Sequence, residues 1–311
     1  MSQILAFVMN PMEGVNINAD TSFAFMLAGA AKGCRIFHVN PADLDLRGDR
    51  LFMRGRFIEV ARQEGKFFKV LEETRIPAED CKAIFIRTDP PFDEAYLTAT
   101  WLLGFAERRG VRVINSPRGV RSANEKLYAM EFPELCPDTI VTSCREEILS
   151  FVRKEKGRAI AKPLDGFGGF GVVFLKEGDS NLKAIIELLT QEGKEPILVQ
   201  QYLPGGVKGD KRLLLIDGKI RGAVRRVPLS DDHRGNVHVG GVAQACELDE
   251  SDRHIESVLG ERLRQDGLYF VGIDVIDGKL IEVNVTSPTL VQEVRDLGGP
   301  DLAAEVIDSL F

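Results

Sequence analysis

A glycine-rich segment that begins at Lys162 combines the residue types that bind phosphates. It reads KPLDGFGGFGV and contains the spacing G-x-G-x-x-G. That spacing alone is a weak signal, because a dinucleotide-binding fingerprint also needs a helix after the glycines. Here residues 158–161 and 172–175 both have strand character, so the glycines join two strands. Such a flap lets backbone N–H groups approach phosphate oxygens, because no Cβ blocks them.

Lys162 stands directly before this flap and is placed to pair with nucleotide phosphates. The alternative is a mobile hairpin tip that binds nothing. A second lysine, Lys126, falls in the first turns of a predicted helix, where a lone lysine more often faces solvent. The sequence therefore predicts a phosphate-binding flap with Lys162 beside it and, taken alone, only weakly suggests a role for Lys126.

Three oxygen-bearing side chains occur on two predicted strands near the carboxyl end of the chain. Glu282 and Asn284 are two residues apart and share a face of their strand. Asp274 joins them only if the loop 276–278 has an odd residue count, which Gly278 in a left-handed conformation closing a bulge would supply. Carboxylate and amide oxygens suit Mg²⁺, so this hairpin predicts a metal site. Strand carboxylates without a metal are the alternative.

Two arginines occur on another pair of predicted strands. If the loop 216–218 has three residues, Arg212 and Arg226 lie on one face, which suggests a common anion. Solvent-facing charges are the alternative. Arg234 and Asn236 follow in a polar, glycine-bearing segment that is typical of a loop. The run 200–204 (QQYLP) after an apolar strand is compatible with an adenine-binding hinge, although an ordinary strand exit fits equally well.

The elements that carry these residues follow a changing pattern. In the first ~120 residues strand and helix signals alternate, with strands at 4–9, 35–39, 83–86 and 111–114 and a helix capped by Asp20. This rhythm predicts a mostly parallel sheet covered by helices. Capping-box patterns at 122–125 and 143–146 predict two further helices, the first running to about Phe132. We expect a domain boundary near residue 120.

From Arg158 onward strands follow one another directly. The same four-residue pattern, Ile-Asp-Gly-Lys, occurs at 216–219 and 276–279 between apolar runs. Each occurrence predicts an antiparallel hairpin, because Asp-Gly favours tight turns. The expected fold class is therefore an α/β domain followed by α+β domains.

Composition narrows the class of protein. The 311 residues are 44% apolar and 28% charged, with a net charge of -7 and a pI of about 5.4. A broadly negative surface argues against nucleic-acid and anionic-membrane partners. Five cysteines without a C-x-x-C pair fit buried thiols in a reduced compartment rather than disulfides or zinc. The first residues read as a buried strand rather than a signal peptide, and no apolar stretch is long enough to span a bilayer, so we expect a cytoplasmic protein.

Several segments carry a more specific pattern. The main ones are 87–93 (RTDPPFD), 124–127 (NEKL), 162–166 (KPLDG) and 284–289 (NVTSPT), and 16–18 and 20–23 add to them. Together with the order lysine, flap, hinge, paired arginines and D…E-x-N, they resemble the ATP-grasp superfamily and, within it, the bacterial glutathione synthetases. The resemblance extends from Met9 to about Val294.

The resemblance implies a role for each motif, and it adds weight to Lys126. The residues implied for ATP are Lys126, Lys162, Asp165, Gly166, Gly168, Gly169, Gln200, Gln201, Tyr202, Leu203 and Asp210. Among them the two lysines would hold phosphates, 200–203 would line the adenine, and Asp210 would lie near the ribose. Mg²⁺ would be held by Asp274, Glu282 and Asn284. The dipeptide and its acyl phosphate would be bound by Arg212, Arg226, Arg234 and Asn236, with Ser287 nearby and Arg212 stabilising the developing oxyanion.

The same resemblance implies an ATP-grasp fold in three parts. These are an N-terminal α/β domain with a parallel sheet (1–121), a central lid domain (122–199) and a C-terminal antiparallel-sheet domain (200–311). The implied reaction joins γ-L-glutamyl-L-cysteine to glycine with ATP, through an acyl phosphate. The implied partners are these small molecules, with Mg²⁺, two ions in number and replaceable by Mn²⁺, and a homotetramer of the chain.

This sequence departs from the family pattern at Arg225, Gly171 and the acidic loop 230–233. Two alternatives therefore stay open. One is an ATP-grasp ligase with another substrate pair, such as a glutamate-adding enzyme. The other is a nucleotide-binding regulatory module without turnover, against which the intact lysine and metal-ligand sets argue.

Overall fold

The computed structural model describes residues 2–228 and 241–311, so the predicted substrate residues Arg234 and Asn236 lie outside the described residues. The strands are β1 Ile4–Val8, β2 Arg35–Val39, β3 Leu44–Arg47, β4 Arg50–Val60, β5 Phe68–Pro77, β6 Cys81–Ile86, β7 Arg112–Ile114, β8 Thr139–Thr142, β9 Arg158–Pro163, β10 Val173–Lys176, β11 Ile197–Gln201, β12 Asp210–Ile216, β13 Lys219–Val227, β14 Val242–Ala245, β15 Phe270–Ile276 and β16 Lys279–Asn284. The α-helices are α1 Thr21–Ala31, α2 Glu94–Arg108, α3 Pro117–Ser122, α4 Arg145–Lys154, α5 Leu182–Leu189, α6 Glu250–Gln265, α7 Val291–Asp296 and α8 Leu302–Asp308.

The first sheet contains the parallel strands that the sequence predicted. Strands β2, β1, β6 and β7 are neighbours in that order and are parallel. Helix α1 begins where expected, because the Asp20 side chain accepts a hydrogen bond from the backbone N–H of Phe23 at 2.7 Å. These four strands confirm the α/β character of the N-terminal part.

The same sheet also contains three antiparallel strands, β3, β4 and β5, which the expectation of a mostly parallel sheet did not include. Strand β5 illustrates why these strands were not predicted, because its residues 69–73 are all exposed. Because both faces of this stretch are in solvent, it lacks the alternation of apolar and polar residues on which strand prediction depends.

The other two sheets of the described residues are antiparallel. One has the order β10-β9-β11-β8, and helices α4 and α5 pack against it through Ile148, Phe151 and Ile186. The other has the order β14-β13-β12-β15-β16. The α+β character predicted for the second half of the chain is therefore confirmed, while the division at residues 121 and 199 stays a prediction.

The first and third sheets share one apolar interior. Phe7 and Phe85 of the first sheet belong to the same buried cluster as Leu214 and Phe270 of the third. Burying each such side chain contributes roughly 1.5–3 kcal/mol. The carboxyl edge of the parallel strands is thereby held against the antiparallel sheet that carries the candidate site.

Both predicted capping boxes are wrong, although the second helix is correct. Ser122 lies in the last turn of α3, where its hydroxyl donates to the carbonyl of Arg118 at 3.0 Å. The following turn is instead closed by the Asn124 side chain, which accepts from the backbone N–H groups of Lys126 and Leu127 at 3.1 Å each. Lys126 therefore projects from a turn rather than from a helix. Helix α4 has Cys144 as its N-cap, without a capping side chain.

The cysteines match the expectation of buried thiols only in part. Cys34, Cys81 and Cys136 are buried and all five thiols are free, as expected, but Cys144 is exposed and Cys246 is partly exposed. Within 2–228 and 241–311, no α-helix combines the length and the apolar character that a membrane span requires.

Candidate active site

Two hairpins of the third sheet determine which side chains face the site. Their turns contain two residues, Asp217-Gly218 and Asp277-Gly278, with φ of 50° and 70° and of 49° and 71°. Positive φ at both positions is the type I′ geometry that Asp-Gly favours. The odd loop lengths assumed for both hairpins are therefore wrong, although Gly278 is left-handed, as expected.

A bulge in each hairpin nevertheless places the predicted residues on one face. In the last hairpin Val275 pairs with Leu280, but Asp274 pairs with Glu282, so Ile281 is the extra residue. The earlier hairpin has the same irregularity after Leu214, and its register then brings Asp210 opposite Arg226. An odd loop would have shifted the facing strands by one residue. The bulge within each hairpin supplies that one-residue shift instead.

The three predicted metal ligands meet at this face. Asp274 lies opposite Glu282, and the amide nitrogen of Asn284 lies 3.4 Å from Asp274 Oδ2 and donates to the carbonyl of Gly272 at 3.3 Å. This use of the nitrogen leaves the amide oxygen for a cation. No group of three His, Cys, Asp or Glu residues in the described part could hold a metal by itself. The two carboxylates and the amide therefore fit a hard cation that takes its remaining oxygens from phosphates and water.

The two predicted arginines surround Asp274. Arg212 donates to it through Nε at 2.5 Å and through Nη2 at 3.1 Å, and Arg226 Nη2 lies 2.9 Å from its Oδ2. Arg226 also forms a two-pronged ion pair with Asp210. Burial by itself would raise the pKa of Asp274, but the two guanidinium groups hold that pKa well below its usual range. Asp210, expected near the ribose, thus also fixes Arg226.

The two predicted phosphate lysines are both buried. Lys162 Nζ donates to Gln200 Oε1 at 3.1 Å, and no carboxylate of the described residues lies within ion-pair distance of it. Burial lowers the pKa of Lys162, because the charged form loses its hydration. Lys126 Nζ lies 3.3 Å from Glu282 Oε1 and donates to the carbonyl of Gly166. A buried ammonium without an anion is the arrangement that a phosphate would complete.

A cavity of about 1090 Å³, a volume that includes the solvent space at its mouth, lies between the flap and the third sheet. It is lined by all but one of the predicted nucleotide residues, namely Lys126, Lys162, Gly166, Gly168, Gly169, Gln200, Gln201, Tyr202, Leu203 and Asp210. The exception, Asp165, lines a neighbouring cavity with Asn124 and Leu164.

Apolar side chains that could not be assigned from the motifs alone complete the walls of this cavity. Ile160, Phe174, Ile276 and Ile281 line it. Ile160 stands two residues before Lys162 on the same strand, so alternation could have identified it. Strict alternation would place Ile281 on the face opposite Glu282; it lines the cavity because it is the extra residue of the bulge. Apolar walls of this kind are what an adenine ring requires.

A second cavity adjoins the first. It is lined by Arg212, Arg226, Glu282, Asn284 and Ser287, and it shares Arg226, Glu282, Phe167 and Gly168 with the first cavity. Ten of the predicted nucleotide residues and the predicted substrate residues Arg212, Arg226 and Ser287 are thereby brought to two cavities with a common wall. That wall contains a metal-ligand candidate, a guanidinium and the flap.

The second cavity also contains residues that the sequence analysis did not assign, Asp89 and Glu125. Glu125 Oε1 accepts hydrogen bonds from the backbone of Val285 at 3.1 Å and from the Thr286 hydroxyl at 2.8 Å. Burial, followed by the charge of Glu282, raises the pKa of Glu125. Both residues lie in the segments 87–93 and 124–127 quoted above. The sequence pattern therefore contained them, but it did not indicate what either residue does.

The flap has the form that the glycines predicted. It joins β9 to β10, and its tip is open, with Phe167 45% and Phe170 78% exposed. Gly168 has φ 60°, and a Cβ there would meet no atom within 4 Å. A side chain at Gly168 would therefore be disfavoured by backbone conformation rather than by a clash in the free protein.

We expect Gly168→Val to weaken ATP binding about tenfold, because the flap could no longer bring its N–H groups to the phosphates. The unfolding midpoint should change little, since the flap buries little surface. Isothermal calorimetry and thermal melts would measure both. Gly178→Val is the matched control, because Gly178 also has positive φ (82°) and open space but lies outside both cavities. Equal losses of ATP affinity in the two variants would contradict a phosphate-binding flap.

Comparisons with known proteins agree with this geometry. Residues 4–121 match the family model "Prokaryotic glutathione synthetase, N-terminal domain", and residues 125–299 match "Prokaryotic glutathione synthetase, ATP-grasp domain". The chain is 42% identical over 316 residues to the glutathione synthetase of Thermosynechococcus vestitus, covering 99% of each chain, and 42% identical over 310 residues to that of Rhodopseudomonas palustris, covering 99% of this chain and 98% of the relative.

Solved structures share the fold at much lower identity. The D-cycloserine synthetase DcsG has a TM-score of 0.67 at 17% identity, covering 99% of this chain and 100% of the other. The ATP-grasp ligase PsnB complexed with a minimal precursor has a TM-score of 0.65 at 18% identity, covering 99% and 98%. The fold is thus that of ATP-grasp ligases, and the full-length identities above show that the chain belongs to the prokaryotic glutathione synthetase family.

Proposed function

We propose that this protein is an ATP-dependent ligase that joins γ-L-glutamyl-L-cysteine to glycine, forming glutathione, ADP and phosphate. The observation that carries the proposal is the common wall of the two cavities. A nucleotide in the first cavity and a carboxylate in the second would meet at Glu282, Arg226 and Gly168. Membership of the prokaryotic glutathione synthetase family supports the choice of substrates.

The chemistry follows from the charges around that wall. The substrate carboxylate attacks the γ-phosphorus of ATP and displaces ADP, which gives an acyl phosphate. The amine of glycine then attacks the acyl carbon, displaces phosphate and loses a proton. Lys126 and Lys162 hold the phosphates from two sides, and the flap N–H groups cover them. A divalent metal bound at Asp274, Glu282 and Asn284 would neutralise phosphate charge. The flap also excludes water, which would otherwise hydrolyse the acyl phosphate.

Arg212 is the candidate for stabilising the oxyanion that develops when glycine attacks. Its Nε and Nη2 are bound to Asp274, which fixes the guanidinium plane and leaves Nη1 for the substrate. A donor held this way costs no reorganisation during the reaction, and losing one such donor costs about 3–4 kcal/mol of transition-state stabilisation.

The neighbouring arginines Arg225 and Arg226 provide an internal control for substrate binding. Arg226 is buried in the wall between the cavities, whereas Arg225 points to the opposite face and pairs in register with Lys211. We expect Arg226→Ala to raise the KM for γ-glutamylcysteine roughly 10-fold or more, because a charge-assisted contact is lost. The KM for ATP should change much less.

Arg225→Ala should leave both KM values nearly unchanged in the same steady-state assay. The opposite pattern, with damage from Arg225→Ala only, would mean that the assignment of this face to the dipeptide is wrong.

The experiment that tests the function is phosphate release from ATP with a panel of acyl substrates and amines. We expect release to require γ-glutamylcysteine and glycine together, with glutathione identified by mass spectrometry. Release with glutamate as the added amino acid instead would favour a glutamate-adding ligase. ATP binding without release under any pair would favour a regulatory module.

Several finer features belong to the same proposal. The metal is Mg²⁺, bound as two ions and replaceable by Mn²⁺, and the two-ion count would be measured by titration with Mn²⁺. Arg234, Asn236 and Ser287 contribute to the dipeptide site, Asp165 contributes to the nucleotide site, and the chain forms a cytoplasmic homotetramer. These assignments rest on the resemblance described above.

A further inference from the structure

We infer that Thr139 and Gln200 act as positioning residues that aim the ammonium group of Lys162 at the nucleotide phosphates. The inference rests on the proposed use of the first cavity for ATP. It assigns to the Gln200 side chain a task other than contact with the adenine, and it gives a function to Thr139, which lines none of the cavities described above.

The three side chains form a relay across neighbouring strands. Thr139 of β8 pairs with Gln200 of β11, and Lys162 of β9 pairs with Leu198, two residues from Gln200 on the same face. Lys162 Nζ donates to Gln200 Oε1 at 3.1 Å, and Gln200 Nε2 donates to Thr139 Oγ1 at 3.1 Å. The Thr139 hydroxyl donates to the carbonyl of Pro137 at 2.8 Å.

The carbonyl of Pro137, at the outer end of this relay, determines the direction of every hydrogen bond in it. A carbonyl oxygen can only accept, so the Thr139 hydroxyl must give its proton to Pro137. Its oxygen can then accept from Gln200, which must present its NH₂ group there. The amide oxygen of Gln200 is thereby turned toward Lys162. The backbone carbonyl thus determines which end of the amide faces the lysine.

The orientation of the Gln200 amide matters because water cannot readily replace its contact with Lys162. Gln200 and Lys162 are 5% and 9% exposed, so water has little access to their contact. The reversed amide would place NH₂ hydrogens against an ammonium group, where both partners are donors. No ion pair of Lys162 occurs among the described residues. Gln200 therefore holds the ammonium without neutralising it, which leaves its full charge for a phosphate, whereas a carboxylate at this position would compete.

The test compares Thr139→Val with Thr139→Ser. Valine keeps the shape and branching of threonine but removes the hydroxyl, so Gln200 can reverse; serine keeps the hydroxyl. We expect Thr139→Val to weaken ATP binding about tenfold, as for a lost hydrogen bond to a charged group, and Thr139→Ser to bind as the unaltered protein does. Calorimetry with ATP and Mg²⁺, without the acyl substrate, measures the affinity.

Two further measurements separate this relay from general damage. Adenosine has no phosphate, so its affinity should be the same in both variants. In a Lys162→Met background Thr139→Val should have no additional effect on ATP, because its effect passes through the lysine. Gln200→Met, which removes both ends of the amide, should reproduce the loss and provides a second variant if Thr139→Val does not fold.

An unchanged ATP affinity in Thr139→Val and Gln200→Met would overturn the inference. So would an undiminished effect of Thr139→Val in the Lys162→Met background, or an equal loss of adenosine binding. Glutathione formation by the unaltered protein is measured separately. Its failure would contradict the proposed reaction, while a tenfold, lysine-dependent loss of ATP affinity would still support the relay.

Discussion

Glu282→Gln is expected to lower the rate of glutathione formation by about 100-fold or more while the protein stays folded. Glu282 lies opposite Asp274 in the last hairpin and lines both cavities, and its side chain is 22% exposed. Glutamine keeps its length and shape, but removes one negative charge from the metal ligand set. The partial exposure lets water satisfy the new amide, so little stability should be lost.

The loss should appear mainly in the metal dependence. Higher Mg²⁺ concentrations should recover part of the activity, because occupancy of a weakened site rises with the concentration of the ion. Lys126 also loses its nearby countercharge, 3.3 Å away, and this should change ATP binding less than it changes turnover. Steady-state kinetics over a range of Mg²⁺ concentrations would distinguish the two effects.

Glu261→Gln is a suitable control, because Glu261 is an exposed residue of α6 that pairs with Arg264. It should change neither turnover nor the metal dependence. Full activity of Glu282→Gln at ordinary magnesium concentration would show that the oxygen cluster on β15 and β16 does not hold the metal.

Strand alternation could predict some of the residues that face the site, but not all of them. Glu282 and Asn284 could be placed on one face from their spacing alone, and the same rule would have found Ile160 beside Lys162. Alternation did not establish that Asp274 joins them. That depends on the bulge at Ile281, and an extra residue in a strand leaves no local signal when it is apolar like its neighbours.

The remaining failures have a different cause. The predicted box at 122–125 satisfied a local rule, but Glu125 is instead used by the backbone and hydroxyl of Thr286, 161 residues away. Likewise, sequence could name the two lysines but could not show that one is bound by an amide and the other by a carboxylate. Long-range contacts decide such cases, and a local pattern contains no information about them.

Asp274→Asn is the natural comparison for Glu282→Gln. The two residues lie opposite each other on β15 and β16, and each substitution replaces a carboxylate by its amide. Asp274 is 4% exposed and is bound by both Arg212 and Arg226. Asparagine replaces one of the two acceptor oxygens by an NH₂ donor and brings no charge. Two buried guanidinium groups would then lie close together, with Asp210 as the carboxylate that still pairs with Arg226.

We therefore expect Asp274→Asn to lower the free energy of unfolding by about 3 kcal/mol, as when one partner of a buried ion pair is removed. Glu282→Gln should lower it by less, about 1 kcal/mol, because the Glu282 side chain is partly exposed although the buried Lys126 loses its countercharge. Urea denaturation of both variants without nucleotide would measure the difference. Equal stabilities would mean that Asp210 alone compensates the arginines, and that the negative charge of Asp274 is available in full to a bound metal. A large difference would mean that the metal and the arginines share the charge of Asp274.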